Sequence, residues 1–294
     1  MERIDKLIAS QGQYSRKEVK ALIAKERVAV DGTPVKSSSD KADPAVMQIT
    51  IDGKPLDFKR HVYLMLNKPQ GYVSATEDRD HQTVLELVPE AYRGRDLFPA
   101  GRLDRDTTGL MIITDDGALA HNILAPKKHV PKLYRVELDI PVTEEMRERF
   151  LAGVVLNDGV CKAADLTKID TRIALVTLRE GRYHQIKRMF GCCGAAVVAL
   201  KRLGMGKLYL PEDLAEGECR ELTAEELAPF ALRVSCYRIM QKLCDAFHTV
   251  LPKLMEGTQK RTVPAPGTIR SSLIFCAARL AFLREKELHS PFEV

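Results

Sequence analysis

The segment that most limits how this chain can fold is Leu110-Met111-Ile112-Ile113, a short apolar run with a polar lead-in. It leaves Gly101-Arg102-Leu103-Asp104-Arg105-Asp106-Thr107-Thr108-Gly109 and stops at Asp115-Asp116-Gly117. A run this brief between turn residues suits a buried strand, fed by a loop and closed by a tight turn. The loop sets one carboxylate, Asp104, between Arg102 and Arg105. Nearby positive charge favours the ionised carboxylate, and such an anion is a nucleophile or base at neutral pH. A structural Asp–Arg ion pair has the same pattern, because ion-pair networks also perturb carboxylates.

The 294 residues suffice for two domains or one large one, and 45% hydrophobic content supports real cores. No apolar run reaches the roughly 18 residues of a membrane helix. Met1-Glu2-Arg3-Ile4-Asp5-Lys6 is charged and is no secretory signal. Seven cysteines without CxxC spacing, two of them adjacent (Cys192-Cys193), read as reduced thiols of a cytosolic protein with no zinc site. The net charge of +5 is misleading as a nucleic-acid signal. Residues 232–294 hold ten Lys/Arg and five Asp/Glu, which leaves 35 of each in residues 1–231. The case for a polyanion must therefore rest on where charges cluster.

One cluster is N-terminal. Ile4, Leu7 and Ile8 have helical spacing, and Gly12 ends that helix. Ser15 opens a second helix, with Glu18 completing a capping box. Val19, Leu22 and Ile23 line one face; Arg16, Lys17, Lys20 and Lys25 line the other. Val28-Ala29-Val30 with the Asp31-Gly32 turn reads as a short strand and tight turn. Two helices and a hairpin with a basic face suit docking onto phosphates; an ordinary solvated face has the same pattern. Residues 36–60 read as a linker, flexible at Ser37-Ser38-Ser39, that ends in a hairpin around Asp52-Gly53.

Farther on, Val62–Leu66 reads as a buried strand ending at Asn67-Lys68-Pro69-Gln70-Gly71, a turn. A short helix is expected at Val84–Val88, another at Ala118–Leu124, then a basic loop at Pro126-Lys127-Lys128-His129. Lys132–Leu138 alternates as a strand with Tyr134 and Val136 on one face. Thr143 caps a helix, Asn157-Asp158-Gly159 turns a hairpin, and Ile173–Leu178 is a strand. Glu180-Gly181-Arg182-Tyr183-His184-Gln185-Ile186-Lys187-Arg188-Met189-Phe190 breaks that strand and begins a helix whose Ile186, Met189 and Phe190 face the core. The window 182–207 has Arg182, Lys187, Arg188, Lys201, Arg202 and Lys207 and no acidic residue, which suits a polyanion. It also holds Val197-Val198-Ala199-Leu200, read as a buried strand. Thr223 and Glu226 cap a last helix.

No Ser/His/Asp set, metal-ligand cluster or GxxxxGK[ST] loop accompanies these features. A carboxylate needs no cofactor to break a glycosidic bond, and glycosidases pair it with a second, for which Asp106 is available. One carboxylate suffices if the released base reattaches, as in isomerisation of uridine.

Two resemblances join these pieces. Arg3-Ile4-Asp5-Lys6-Leu7-Ile8, Ser15-Arg16-Lys17-Glu18-Val19 and Val28-Ala29-Val30-Asp31-Gly32 resemble the S4 RNA-binding domain (αL type). Gly101-Arg102-Leu103-Asp104 with Thr107 and Gly109-Leu110, Lys68-Pro69-x-Gly71, Tyr134, and Gly181-Arg182-Tyr183-His184-Gln185-Ile186-Lys187-Arg188-Met189 resemble the pseudouridine synthases, in the RsuA type that modifies small-subunit rRNA. The implied fold is α+β, an S4 domain and a catalytic domain with a mixed, mostly antiparallel sheet flanked by helices. The implied boundaries are 1–59, 60–231 and a basic extension, 232–294, of no recognised kind.

The resemblance makes Asp104 the catalytic carboxylate, acting at C1′ or on the C2′ proton. Tyr134 stacks on the everted uracil and assists at C5, and Lys187 pairs with Asp104. Arg3, Arg16, Lys17, Lys20, Lys68, Arg102, Arg105, Arg182, His184, Gln185 and Arg188 contact RNA. No metal and no cofactor are implied. The expected partner is 16S rRNA in a small-subunit assembly intermediate, with uridine 516 as target, met by a monomer away from membranes. A 23S rRNA uridine, or RNA binding without catalysis, are the alternatives.

Overall fold

The computed structural model describes residues 1–125 and 130–230. The basic loop 126–129 and the basic extension 232–294 lie outside the described residues.

The N-terminal part is built as its pattern requires. Helices Ile4–Ala9 and Arg16–Ala24 bury Ile4, Leu7, Ile8, Val19, Leu22 and Ile23 against the strands Val28–Val30 and Ile49–Ile51. Ser15 closes the capping box in both directions: its amide donates to Glu18 Oε2 at 2.7 Å and its Oγ accepts from the Glu18 amide at 3.3 Å. The four-stranded sheet runs Thr33–Pro34, Val28–Val30, Ile49–Ile51, Lys54–Pro55. Both hairpin turns use an Asp-Gly pair at positive φ, Asp31-Gly32 at 49° and 78° and Asp52-Gly53 at 53° and 74°. Paired positive φ values match the twist of the flanking strands.

The expected linker is not one. Lys41–Ala42 pairs with Glu2–Arg3, and the carbonyls of Asp40 and Ser38 accept from the amides of Ile4 and Asp5. The first amides of a helix have no internal acceptor, and residues 37–41 satisfy two of them.

The larger part is a nine-stranded mixed sheet. Its main order is Asp165–Lys168, Ile173–Leu178, Lys132–Leu138, Val197–Met205, Thr108–Thr114, Tyr63–Lys68, Cys219–Glu221. All of these neighbours are antiparallel except Val197–Met205 with Thr108–Thr114, which share only two register pairs, Lys201 with Thr108 and Arg202 with Gly109. Along Thr108–Thr114 the side chains alternate between two cores. Met111 and Ile113 join the cluster with Val136, Met189 and Phe190; Leu110 and Ile112 join the one with Leu119, Ile123 and Met205. Burial on both faces explains an uninterrupted apolar run. Helices Gly117–Leu124, Glu144–Ala152 and Gln185–Cys192 flank the sheet. Val197–Leu200 is a strand, but Val198 is 64% exposed and the strand continues through Arg202, so the reading of that stretch as buried is corrected.

The two parts meet over a seam. Gly12 and Gly94 approach so closely that a Cβ on Gly94 would lie 2.7 Å from the Gly12 carbonyl carbon. Beside them the buried Arg95 donates to Asp115 Oδ2 at 2.7 Å, to Gln11 Oε1 at 3.3 Å and to the carbonyls of Lys59 and Arg60.

Candidate active site

The short parallel seam is where the sheet opens. Gly109 makes the seam possible: its φ is +102°, and a Cβ there would stand 2.7 Å from the Arg202 amide nitrogen. The Gly101–Thr107 loop crosses this opening and is fastened from beneath. Lys68 Nζ donates toward four backbone carbonyls, of Thr107 at 2.8 Å, Pro69 at 3.1 Å, Asp104 at 3.1 Å and Arg105 at 3.2 Å. The Gly71 amide donates to the Arg105 carbonyl, and Ser74 Oγ both donates to the Leu103 carbonyl and accepts from the Leu103 amide.

Fastened this way, the loop presents Asp104 half-buried in a cleft of about 640 Å3. Two groups from the far wall face its carboxylate: His184 Nε2 at 3.5 Å from Oδ1 and Lys187 Nζ at 3.6 Å from Oδ2. His184 holds a left-handed backbone, φ 47° and ψ 36°, at the start of the Gln185–Cys192 helix. A non-glycine residue there costs energy and recurs at functional sites. Lys187 makes its short bonds to Asp106, 2.6 and 2.7 Å, and so bridges the two carboxylates. Burial pushes the Asp106 carboxyl up, and the Lys187 hydrogen bond and charge outweigh it, holding the group below its ordinary range.

Tyr134 is 9% exposed and lines the same cleft, as do Lys132, Leu200 and Arg202. Burial, and then the Arg202 charge, lowers the Lys132 ammonium from its ordinary value. At the mouth stands Tyr183, 72% exposed, stacked on the His184 ring with centroids 3.8 Å apart and planes at 18°. Arg102 and Arg105 are exposed on the loop. The structure thus brings Asp104, Tyr134, His184 and Lys187 together. It also gives Lys187 a closer partner, Asp106, than the expected Asp104.

Two expected RNA contacts, Lys68 and Gln185, are buried, and two others, Arg182 and Arg188, are engaged within the chain. Lys68 is fully buried and its ammonium is taken up by loop carbonyls, so it positions the loop and is not a surface contact. Burial pushes it down to about 8, against the pull of Asp106 and Asp104. Gln185 is 4% exposed; its amide donates to Glu180 and its Oε1 accepts from the Arg182 amide, which pins the turn into the helix. Arg182 donates to the carbonyls of Gly159 and Val160, and Arg188 to the Asp158 carboxylate, so both tie the Asn157-Asp158-Gly159 hairpin to the helix. The acid-free window is therefore compensated from elsewhere in the chain: Lys187 by Asp106, Arg188 by Asp158, Lys201 by Glu216. In the N-terminal part Arg16, Lys17 and Lys20 are exposed as expected. Arg3 is spent partly on Asp5, whose carboxyl it holds below the ordinary range through two hydrogen bonds.

In the sequence Arg202 stands out only as one cation of a run. Its place beside Tyr134 comes from the antiparallel register of two strands far apart in sequence. Among the described residues no cluster of three His, Cys, Asp or Glu is placed to hold a metal ion, and no helix is long and apolar enough to cross a membrane.

Known proteins are similar to this chain. Residues 62–191 match the family model for RNA pseudouridylate synthase, and residues 2–46 match that of the S4 domain. An uncharacterized RNA pseudouridine synthase of Bacillus subtilis (strain 168) is 45% identical over 230 residues, covering 76% of this chain and 96% of its own. The ribosomal small subunit pseudouridine synthase A of Escherichia coli (strain K12) is 44% identical over 229 residues, 77% and 98% of the two chains. A crystal structure of a pseudouridylate synthase superposes with a TM-score of 0.56 at 37% identity, covering 78% of this chain and all of that one. With matches to both family models, and relatives 44–45% identical matched over nearly their whole length, the chain belongs to the RNA pseudouridylate synthases.

Proposed function

We propose that the protein isomerises uridine to pseudouridine in small-subunit rRNA, with uridine 516 of 16S rRNA as target. The observation that carries this reading is Asp104, held half-exposed in the cleft with Tyr134 on one wall and His184 and Lys187 on the other. The relatives' activity supports the chemistry, and the name of the Escherichia coli relative supports the subunit.

A ribose C1′ is out of reach in a stacked helix, so the target nucleotide is everted into the cleft. There the Asp104 carboxylate acts on the sugar, by attack at C1′ or by taking the C2′ proton. Either route breaks the C1′–N1 bond and leaves its electron pair on the base. The detached uracil turns against Tyr134 and C5 bonds to C1′ as the Asp104 carboxylate is released from C1′ or returns the proton to C2′; the C5 proton then leaves with help from Tyr134, and N1 takes up a proton. Lys187, anchored by Asp106, keeps positive charge beside Asp104 throughout. Arg102 and Arg105 meet phosphates at the rim, and Arg16, Lys17 and Lys20 hold RNA from the first domain. Residues 1–59 serve docking and 60–231 catalysis, in a monomer acting on an assembly intermediate.

The test is a pseudouridine map of rRNA from cells lacking the protein, restored with wild type or with Asp104→Asn. One small-subunit site should vanish, return with wild type and stay absent with Asp104→Asn, while the variant still binds the rRNA. An unchanged map, or a map restored by Asp104→Asn, would sink the reading; a lost large-subunit site would move the target.

A further inference from the structure

Arg202 is among the largest fully buried side chains, at 2% exposure, and it lines the cleft. Its Nε donates to the Leu110 carbonyl at 2.7 Å, which fixes the plane of the guanidinium. Its Nη2, buried, has no hydrogen-bond partner among the described residues, and neither has Thr107 Oγ1 of the same cleft. An unpartnered donor in so buried a position is costly. Such a group in a folded protein calls for an explanation, and a role in the reaction is one.

The register says what lies next to it. Tyr134 and Arg202 are cross-strand partners, so their side chains rise side by side from one face of the sheet. A base stacked on the Tyr134 ring would present its edge to Arg202. Phosphates do not fit this role: they are carried on the outside of an everted nucleotide, where the exposed Arg102 and Arg105 stand.

On the functional reading above, we propose that Arg202 is a further catalytic residue, whose Nη2 donates to a carbonyl oxygen of the uracil and holds it as an anion while it is detached. Breaking C1′–N1 leaves the bond's electron pair on the base, delocalised onto its carbonyl oxygens. A fixed cation in a water-poor site stabilises that charge without reorganising. It also retains the fragment, which must turn and rejoin at C5 without escaping. The proposal holds for either action of Asp104, because both expel the same anion.

The test uses the full chain, with R202M and R202K, on small-subunit rRNA ligated to carry uridine, 2-thiouridine or 4-thiouridine at the modified position. Sulfur accepts hydrogen bonds poorly. Under single turnover R202M should form product roughly 100-fold more slowly, with rRNA affinity changed less than about twofold. R202K, which keeps the charge and loses the fork, should fall between. One of the two thio substitutions should slow the wild type by about tenfold relative to its effect on R202M, as loss of one charged hydrogen bond predicts. If R202M does not fold, the same comparison is made with R202K. Product from wild type and R202M at equal rates, or thio effects identical in wild type and variant, overturns the assignment while leaving the synthase reading intact. No product from the wild type on any rRNA overturns both.

Discussion

Lys68→Met separates what holds the fold from what holds the site. Methionine keeps the length and volume of the stem and removes the ammonium beneath the Asp104 loop. Two of the four carbonyls then keep another donor: Asp104 takes the Thr107 amide and Arg105 takes the Gly71 amide. The Thr107 carbonyl is the buried acceptor left bare, at a cost of about 1–3 kcal/mol. Against this, the wild type keeps a charge in a fully buried place. Its pKa of about 8, against an ordinary 10.5, corresponds to about 3 kcal/mol. The two effects nearly offset, so at pH 7 the variant should unfold within about 2 kcal/mol of wild type. The pH dependence has a definite sign. Between about 8 and 10.5 the unfolded chain binds the extra proton, so this lysine's contribution to stability rises with pH across that window. The gap between wild type and Lys68→Met in urea midpoint should therefore widen from pH 7 to pH 10. Activity should behave otherwise. With its fastening gone the loop drifts, and misplacement by an ångström costs about 100-fold. Urea melts at the two pH values and single-turnover pseudouridine formation at pH 7 decide it. Wild-type activity in Lys68→Met, or a stability gap independent of pH, would refute the clamp.

Gly109→Ala sets a methyl group 2.7 Å from the Arg202 amide at a φ of +102°, with backbone on the other side that cannot turn away. The thermal melt should report a loss of about 3 kcal/mol or more, from overpacking and backbone strain together. Arg95→Met strips a donor from Asp115, which retains the Val62 amide and His61. Denaturant unfolding should show a loss of about 3 kcal/mol, and limited proteolysis should cut faster near residues 57–60; unchanged cleavage would mean that the seam does not depend on this arginine.

Features encoded within a few residues were legible. The Ser15–Glu18 and Thr223–Glu226 boxes each join residues three apart and form as their spacing predicts. So do the Asp-Gly turns and the strand after the Asp104 loop. Asp104, Tyr134 and Lys187 were singled out by family motifs, and their meeting in one cleft follows from strand order that no local pattern contains. What was illegible depends on partners far along the chain. The cation window looks uncompensated because Asp106 lies 81 residues from Lys187 and Asp158 lies 30 from Arg188. Lys68 reads as a loop lysine until the Thr107 carbonyl, 39 residues on, closes over it. Residues 36–60 read as a linker ending in a hairpin because the serines and turn residues at its start carry no trace of the helix amides that they satisfy.

The glycine pair at the seam has a mechanical meaning. With two backbones in contact and Arg95 at the margin, the N-terminal part is set against the larger part at that point with no room for a side chain between them. If the first part grips RNA and the second reacts, as proposed, grip and reaction stand at a set spacing, like the jaws of a caliper. On the proposed function, the RNA that fits is one whose anchoring helix and reactive nucleotide lie that far apart.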